Sequence, residues 1–154
     1  AYELKLMAYS QLAQACVFKG DLKKTSIFLE KSRNWKGICV EPDFNIFTQL
    51  VNNRDCFCAN IAVINQVDNN SLQVPYKYTY KLKELLKLCK FDHVDYLSVS
   101  SNGAENILRA IDFGSCDIKL ISLNSGQSAA EKILAKNNYK LIKDLNGIRV
   151  FEKN

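Results

Sequence analysis

The sequence predicts a three-layer α/β fold whose sheet ends in an antiparallel hairpin, and three observations carry that expectation. Short apolar runs of strand character alternate with stretches of helical spacing along most of the 154 residues. The runs His93 to Val99 and Ile118 to Leu123 are largely apolar, as strands covered on both faces must be. Near the end, Asn146-Gly147 offers a type I′ turn between Tyr139 to Ile142 and Ile148 to Phe151, so the last strands are expected to reverse.

The elements follow in order. Leu4, Ala8, Leu12 and Ala15 recur at helical spacing, which predicts a helix over Tyr2 to Phe18, although Ala15-Cys16-Val17-Phe18 fits a short strand equally well. Gly20-Asp21 breaks the pattern, and Ile27, Phe28 and Leu29 sit in a second helical stretch ending near Asn34. Gly37 to Glu41 is a buried strand closed by an acid and Pro42. Asp43 caps the next helix, whose apolar positions are Phe44, Phe47, Leu50 and Val51. Cys56 to Val67 is strand-like, Asp68 to Ser71 is turn chemistry, and Tyr76 to Tyr80 alternates as a strand with its tyrosines on one face. Leu82, Leu85, Leu86 and Cys89 mark a helix; Ser101-Asn102-Gly103 turns into another bearing Ile107, Leu108 and Ile111; Ser128 to Lys136 is the last. No linker or repeat interrupts the chain, which reads as a single domain, with an N-terminal part to residue 20 and a core over 21–154.

Composition narrows the function classes. Apolar residues make up 47% and charged residues 24%, which excludes a disordered or fibrous chain. The longest apolar runs are a few residues, far short of the roughly 20 that cross a bilayer, and no segment reads as a signal peptide, so no membrane role is expected. The six cysteines, at 16, 39, 56, 58, 89 and 116, stand mostly alone in apolar runs. Cys56-Phe-Cys58 is not the C-x-x-C knuckle of a zinc site, and the chain is neither short nor Gly/Pro-rich like a disulfide scaffold. Buried thiols and a reducing compartment, the cytoplasm or another intracellular space, are expected.

Several motifs then carry a resemblance. Phe28-Leu-Glu-Lys, Trp35-Lys-Gly-Ile-Cys-Val-Glu-Pro-Asp43, Asn60-Ile-Ala-Val63, Val74-Pro75, Leu82-Lys-Glu-Leu-Leu86, Asp95-Tyr-Leu-Ser-Val99, Asn102-Gly-Ala-Glu105, Ile111-Asp-Phe113 and Asn138-Tyr-Lys-Leu-Ile142 occur in this order. Together with the element order they resemble the FkbM family of S-adenosylmethionine-dependent methyltransferases, which have a Rossmann-like fold. The resemblance covers residues 26 to 152 or so. It implies S-adenosylmethionine as the cofactor of an active member, with Glu41 accepting hydrogen bonds from the ribose hydroxyls and methyl transfer to a substrate hydroxyl near Glu41, Ser100 and Glu105.

The departures from that pattern are equally informative. The family's first strand enters a Gly-rich turn, because backbone must approach the cofactor closely. Counting back from Glu30 puts Gly20 at the last Gly of that turn, the earlier Gly at Cys16 and the acids at Gln14 and Lys19. A rival alignment of Ser10 to Gln14 with an upstream family segment implies that the first strand and its loop are missing. The family's Asp and Glu after the fourth strand fall on Ser100 and Asn102, while Glu105 survives; its Glu-His falls on Asn124-Ser125, and a further Asp on Lys83. Amides and hydroxyls cannot take up a proton near neutral pH. Core retained and charge erased is the pattern of a pseudoenzyme without a cofactor.

Three readings result. The first is a methyltransferase-like domain kept as a scaffold for a protein partner or larger assembly. The second is an active O-methyltransferase with a rearranged cofactor loop, since methyl transfer relies largely on proximity. The third is a polyanion-binding module. The net charge of +5 concentrates in two segments, Lys19 to Lys36 and Tyr76 to Lys90, and Lys83, Lys87 and Lys90 are expected on one helical face beside alternating tyrosines. Bland roles compete throughout: a solvated lysine face, a surface His93, and a Glu105 placed for the helix dipole.

Overall fold

The alternation of apolar runs and helical stretches is realised in the computed structural model, which describes residues 13–17, 25–63, 79–99, 104–145 and 147–154. The described elements are β1 (Ala13–Val17), α1 (Thr25–Arg33), β2 (Lys36–Val40), α2 (Phe44–Asn53), β3 (Phe57–Ala59), β4 (Ala62–Val63), β5 (Thr79–Tyr80), α3 (Leu82–Leu88), β6 (His93–Val99), α4 (Ala104–Arg109), β7 (Asp117–Asn124), α5 (Ser128–Lys136), β8 (Tyr139–Leu145) and β9 (Ile148–Lys153). The main sheet has the order β3-β2-β1-β6-β7-β9-β8. β3, β2, β1, β6 and β7 run parallel, and β9 alone reverses, pairing antiparallel with β7 and with β8.

Burial explains the layers. Ile38 and Val40 of β2 join a large cluster built with Leu82, Leu85 and Leu86 of α3, Leu108 of α4 and Leu134 of α5. Cys39, between them, packs instead with Leu50 of α2, because successive side chains of a strand point to opposite faces. A third cluster sets Leu29 of α1 and Trp35 against Tyr96 and Leu120. The sheet is therefore clad on both faces, and each fully buried Leu or Ile contributes roughly 1.5–3 kcal/mol of burial.

Local chemistry sets the boundaries. Asp43 caps α2 as expected, its Oδ1 accepting the N–H of Asn45 at 2.9 Å and of Ile46 at 3.0 Å. α3 ends at Leu88 in a tight C-terminal motif: Phe91 N–H donates to the Leu86 carbonyl (2.9 Å), Lys90 N–H donates to the Lys87 carbonyl (3.1 Å), and Lys90 turns left-handed at φ 57°.

Four expectations need correction. Of the two readings left open at Ala15 to Phe18 the strand holds, extended back to Ala13 at the expense of the helix, and β1 lies at the centre of the sheet between β2 and β6, so the first strand is not missing. The run from Cys56, expected as one strand-like stretch, splits into β3 and β4, and β4 pairs in parallel with β5. Lys90 has left the helical face that carries Lys83 and Lys87, because the left-handed turn redirects the chain. Ile111 lies beyond the end of α4 and fills the core from the following turn. The expected helix before residue 13, the turn at Asp68 to Ser71, most of the tyrosine strand and the turn at residues 101–103 lie outside the described residues.

Candidate functional site

Where the chain leaves β1 for β2 on one side and β6 stands on the other, the strand order reverses, and open α/β sheets bind ligands beyond the carboxyl ends at such a point. Glu41 follows β2 directly. Its N–H donates to the Ala59 carbonyl at 3.1 Å, and its Oε1 accepts the Asp43 N–H at 2.9 Å. The residue is 2% exposed, so its carboxylate is held within the fold. Asn60 clamps the same corner, its side-chain amide donating to the carbonyls of Glu41 (2.8 Å) and Pro42 (3.1 Å).

Glu105 stands in the first turn of α4, where its Oε1 accepts from Arg109 Nε at 3.0 Å and Nη2 at 2.7 Å. It is an exposed i,i+4 ion pair on a six-residue helix. Asn124 closes β7, half-buried and paired in register with Ile148. β2 and β7 are separated by β1 and β6, so Glu41 and Asn124 stand about 14 Å apart across three strand spacings. Gly20, Ser100 and Asn102 lie outside the described residues. The structure thus places Glu41 and Asn124 at the same end of the sheet without bringing them together, and it engages Glu105 with its own helix.

A second feature was not anticipated. An open groove of about 980 Å³ lies at the opposite, amino ends of β2, β3 and β6, bordered by Trp35, Lys36, Phe57, Lys90 and His93. Lys31 and Lys36 from the first basic segment meet Lys90 from the second there, with Asp55 and Asp92 among them. Lys83 and Lys87 are exposed on α3. At one wall, Glu30 of α1 binds Arg54 through Nε (2.7 Å) and Nη2, and also accepts the Asp55 N–H. Burial works to raise the Glu30 carboxyl, but these hydrogen bonds and the Arg54 charge outweigh it and hold it below the ordinary range.

Nearby, Asp95 of β6 is fully buried, and neither carboxylate oxygen has a hydrogen-bond partner among the described residues. His93 Nε2 lies 3.9 Å from Oδ2. Burial pushes the Asp95 carboxyl up to about 6, against the pull of His93 and Lys119. His93 is thus half-exposed with a buried acid for a neighbour. Three cysteines also converge: Cys39 is buried, Cys56 and Cys58 are half-buried, and the Sγ atoms of Cys39 and Cys56 are 3.2 Å apart. The expectation of buried thiols holds for Cys39 and Cys116, whereas Cys56, Cys58 and Cys89 are half-buried and three of the sulfurs cluster instead of standing alone. The parallel pairing of β2 with β3 makes neighbours of residues 17 apart, which the C-x-C spacing did not reveal. Among the described residues no group of three His, Cys, Asp or Glu side chains is arranged to hold a metal, and no helix is long and apolar enough to cross a membrane.

No protein-family model matches the sequence, and no curated protein matches it. Solved structures do match the fold. TrmK of M. capricolum, in complex with S-adenosyl-homocysteine, superposes with a TM-score of 0.54 at 14% identity, covering 100% of this chain and 69% of that one. Precorrin-6y C5,15-methyltransferase from Geobacter metallireducens GS-15 gives 0.57 at 14% identity over 97% of this chain and 87% of its own. A human methyltransferase 10 domain containing protein gives 0.51 at 10% identity over 97% and 80%. The chain therefore has the Rossmann-like α/β fold, with a mixed sheet, that these methyltransferase structures share.

Two features of the site escaped sequence reasoning for a common reason. Asn60 and the Glu30–Arg54 pair act across 18 to 24 residues of chain, and only the order of the strands makes them neighbours. The weak signal present was a lone Arg and a lone Glu flanked by apolar elements.

Proposed function

We propose that this chain is an FkbM-like methyltransferase domain that no longer transfers methyl groups and serves as a scaffold for a protein partner in a reducing compartment. The observation that carries this is the state of the retained acids. Glu41, which the resemblance assigns to the ribose hydroxyls, is 2% exposed and already accepts the Asp43 N–H. Glu105 is taken by Arg109. The scaffold role draws support from the edge of the sheet, where Phe44 and Val51 of α2 and Phe57 of β3 are 65%, 47% and 68% exposed. They lie on two faces, the α2 pair over the Cys39 side and Phe57 on the Ile38 side, and exposed apolar side chains at a sheet edge offer surface to protein contacts.

A second reading, an active O-methyltransferase using S-adenosylmethionine, is favoured by β1 standing at the switch point, where the cofactor of such an enzyme would lie. Titration calorimetry with S-adenosylmethionine and S-adenosyl-homocysteine separates the two. The scaffold reading expects no heat of binding up to millimolar ligand. A submillimolar Kd for either ligand overturns it and selects the enzyme.

A further inference from the structure

The three clustered cysteines have a chemistry that the methyltransferase fold does not use. The parallel register sets Cys39 of β2 opposite Cys58 of β3, and Cys56, two residues earlier, lies on the same face of the sheet. Leu50 of α2 covers them. Cys39 has no exposed surface, while Cys56 borders the open groove. Their sulfurs, at 3.2 Å, are already closer than the ~3.5–4.0 Å at which apolar atoms pack. A disulfide needs about 2.05 Å, so closing it moves the two sulfurs together by roughly 1 Å, between β2 and the bend that leads into β3. Cys58 is placed differently, its Sγ lying 3.5 Å from the Cys56 carbonyl oxygen.

We infer that Cys39 and Cys56 are a redox pair, oxidised through the groove by a small disulfide such as oxidised glutathione to a bond that ties the start of the edge strand β3, at the bend just before it, to β2. The electrons balance in two exchanges. The Cys56 thiolate attacks one sulfur of the small disulfide, whose S–S bond breaks and releases one thiolate. The Cys39 thiolate then attacks the Cys56 sulfur of the mixed disulfide and releases the second. Two protein thiols are oxidised, one small disulfide is reduced to two thiols, and the protons lost by the cysteines end on those thiols. Phe57, exposed between Cys56 and Cys58, is carried on the strand whose start becomes tied.

The pair is slow to react at neutral pH. The hydrogen bond with Cys39 and then burial push the Cys56 thiol well up, Glu30 adding to this and Arg54 opposing it, and burial likewise lifts Cys58 to about 11. Because the thiolate is the nucleophile, the rate of closure rises about tenfold per pH unit between 7 and 9.

The test is mass-spectrometric mapping of the 154-residue chain after incubation with oxidised glutathione at alkaline pH and alkylation without reduction. Expected is a peptide pair joining Cys39 to Cys56 within one chain, four of six cysteines left to alkylate, and recovery of all six after dithiothreitol. Cys58→Ser keeps the link. Cys39→Ser leaves glutathione on Cys56, and Cys56→Ser gives no link. Absence of the link in the unaltered chain, a Cys39–Cys58 peptide in its place, or a bond between two chains overturns the inference. The unaltered chain decides this even where a variant fails to fold.

Discussion

Replacing Asp95 by an asparagine should stabilise the protein at neutral pH and do nothing in acid. The carboxyl has no exposed surface and no hydrogen-bond partner among the described residues, and burial raises it from 3.8 to about 6. Each tenfold change in ionisation is worth about 1.4 kcal/mol, so at pH 7 the charged form costs the folded state about 3 kcal/mol. The sign follows from proton uptake. Between the unfolded value near 4 and the folded value near 6, the native state binds the extra proton, so this group's contribution to stability falls as pH rises through that window and is level above it.

A side-chain amide at this position would resemble the protonated acid in size and hydrogen-bonding capacity, so its buried polarity cancels in the comparison. The Asp95→Asn variant is therefore expected to match the parent at pH 4 and to exceed it by about 3 kcal/mol at pH 7. Urea denaturation at the two pH values reads this directly, and the shift is large against the roughly 5–15 kcal/mol of a typical domain. An NMR titration of the Asp95 carboxyl carbon should turn near 6 in the folded protein. A stability difference that is the same at pH 4 and pH 7 would refute the reasoning, because packing changes alone have no such dependence.

Two further predictions rest on other parts of the fold. Arg54→Met leaves Glu30 buried with the Asp55 N–H but without its cation, and should cost about 3–5 kcal/mol in urea denaturation; a loss below about 1 kcal/mol would contradict the pairing. Because the Glu30 carboxyl is held low, the pair's contribution is complete above about pH 4.5 and disappears as pH falls through the lower folded value, so Arg54→Met should also flatten the acid limb of stability. Gly147→Ala meets no steric neighbour within 4 Å, yet φ of +104° is a conformation that side chains resist, so the cost is about 1–2 kcal/mol of backbone strain. Thermal denaturation should show a drop of roughly 2–8 °C, and an unchanged Tm would show that the hairpin relaxes.

The parts of the fold that were legible in the sequence are those where local pattern and tertiary environment agree. Ser128–Lys136 forms the predicted helix because Ala130 and Leu134 recur one turn apart on its buried side. β6 and β7 are apolar because both faces are covered, and Asp43 works as a cap through its own neighbours alone. β1 was only half legible: Leu12 and Ala15 continue a helical spacing from upstream, Ala15 to Phe18 fits a strand equally well, and only pairing with β2 and β6 decides for extended chain. The end of α3 was hidden for a different reason. The left-handed position that closes such a helix usually holds Gly, whereas here Lys90 occupies it, so the lysine series looked helical to its last member. Asp95 was visible as part of a family motif, yet its physical character depends on burial that no local pattern encodes.

The choice between scaffold and enzyme turns on what Glu41 would have to give up. A carboxylate serving ribose hydroxyls must face the ligand, but Glu41 is 2% exposed, its Oε1 accepts the Asp43 N–H, and Asn60 fixes the backbone carbonyls of Glu41 and Pro42. Turning Glu41 outward breaks a hydrogen bond to a charged group, which costs about 1.5–3 kcal/mol, and leaves the Asp43 N–H to find water. In binding terms that is a handicap of roughly 10- to 150-fold before any contact with the ligand is made. Asn60→Ala is the perturbation that separates the cases, since it frees the corner without touching the carboxylate. Should the domain be an enzyme held back by this clamp, Asn60→Ala raises affinity for S-adenosyl-homocysteine by about tenfold or more. In a scaffold that has lost the remaining contacts, calorimetry of the same variant stays silent, and its only consequence is reduced stability of the β2–α2 corner.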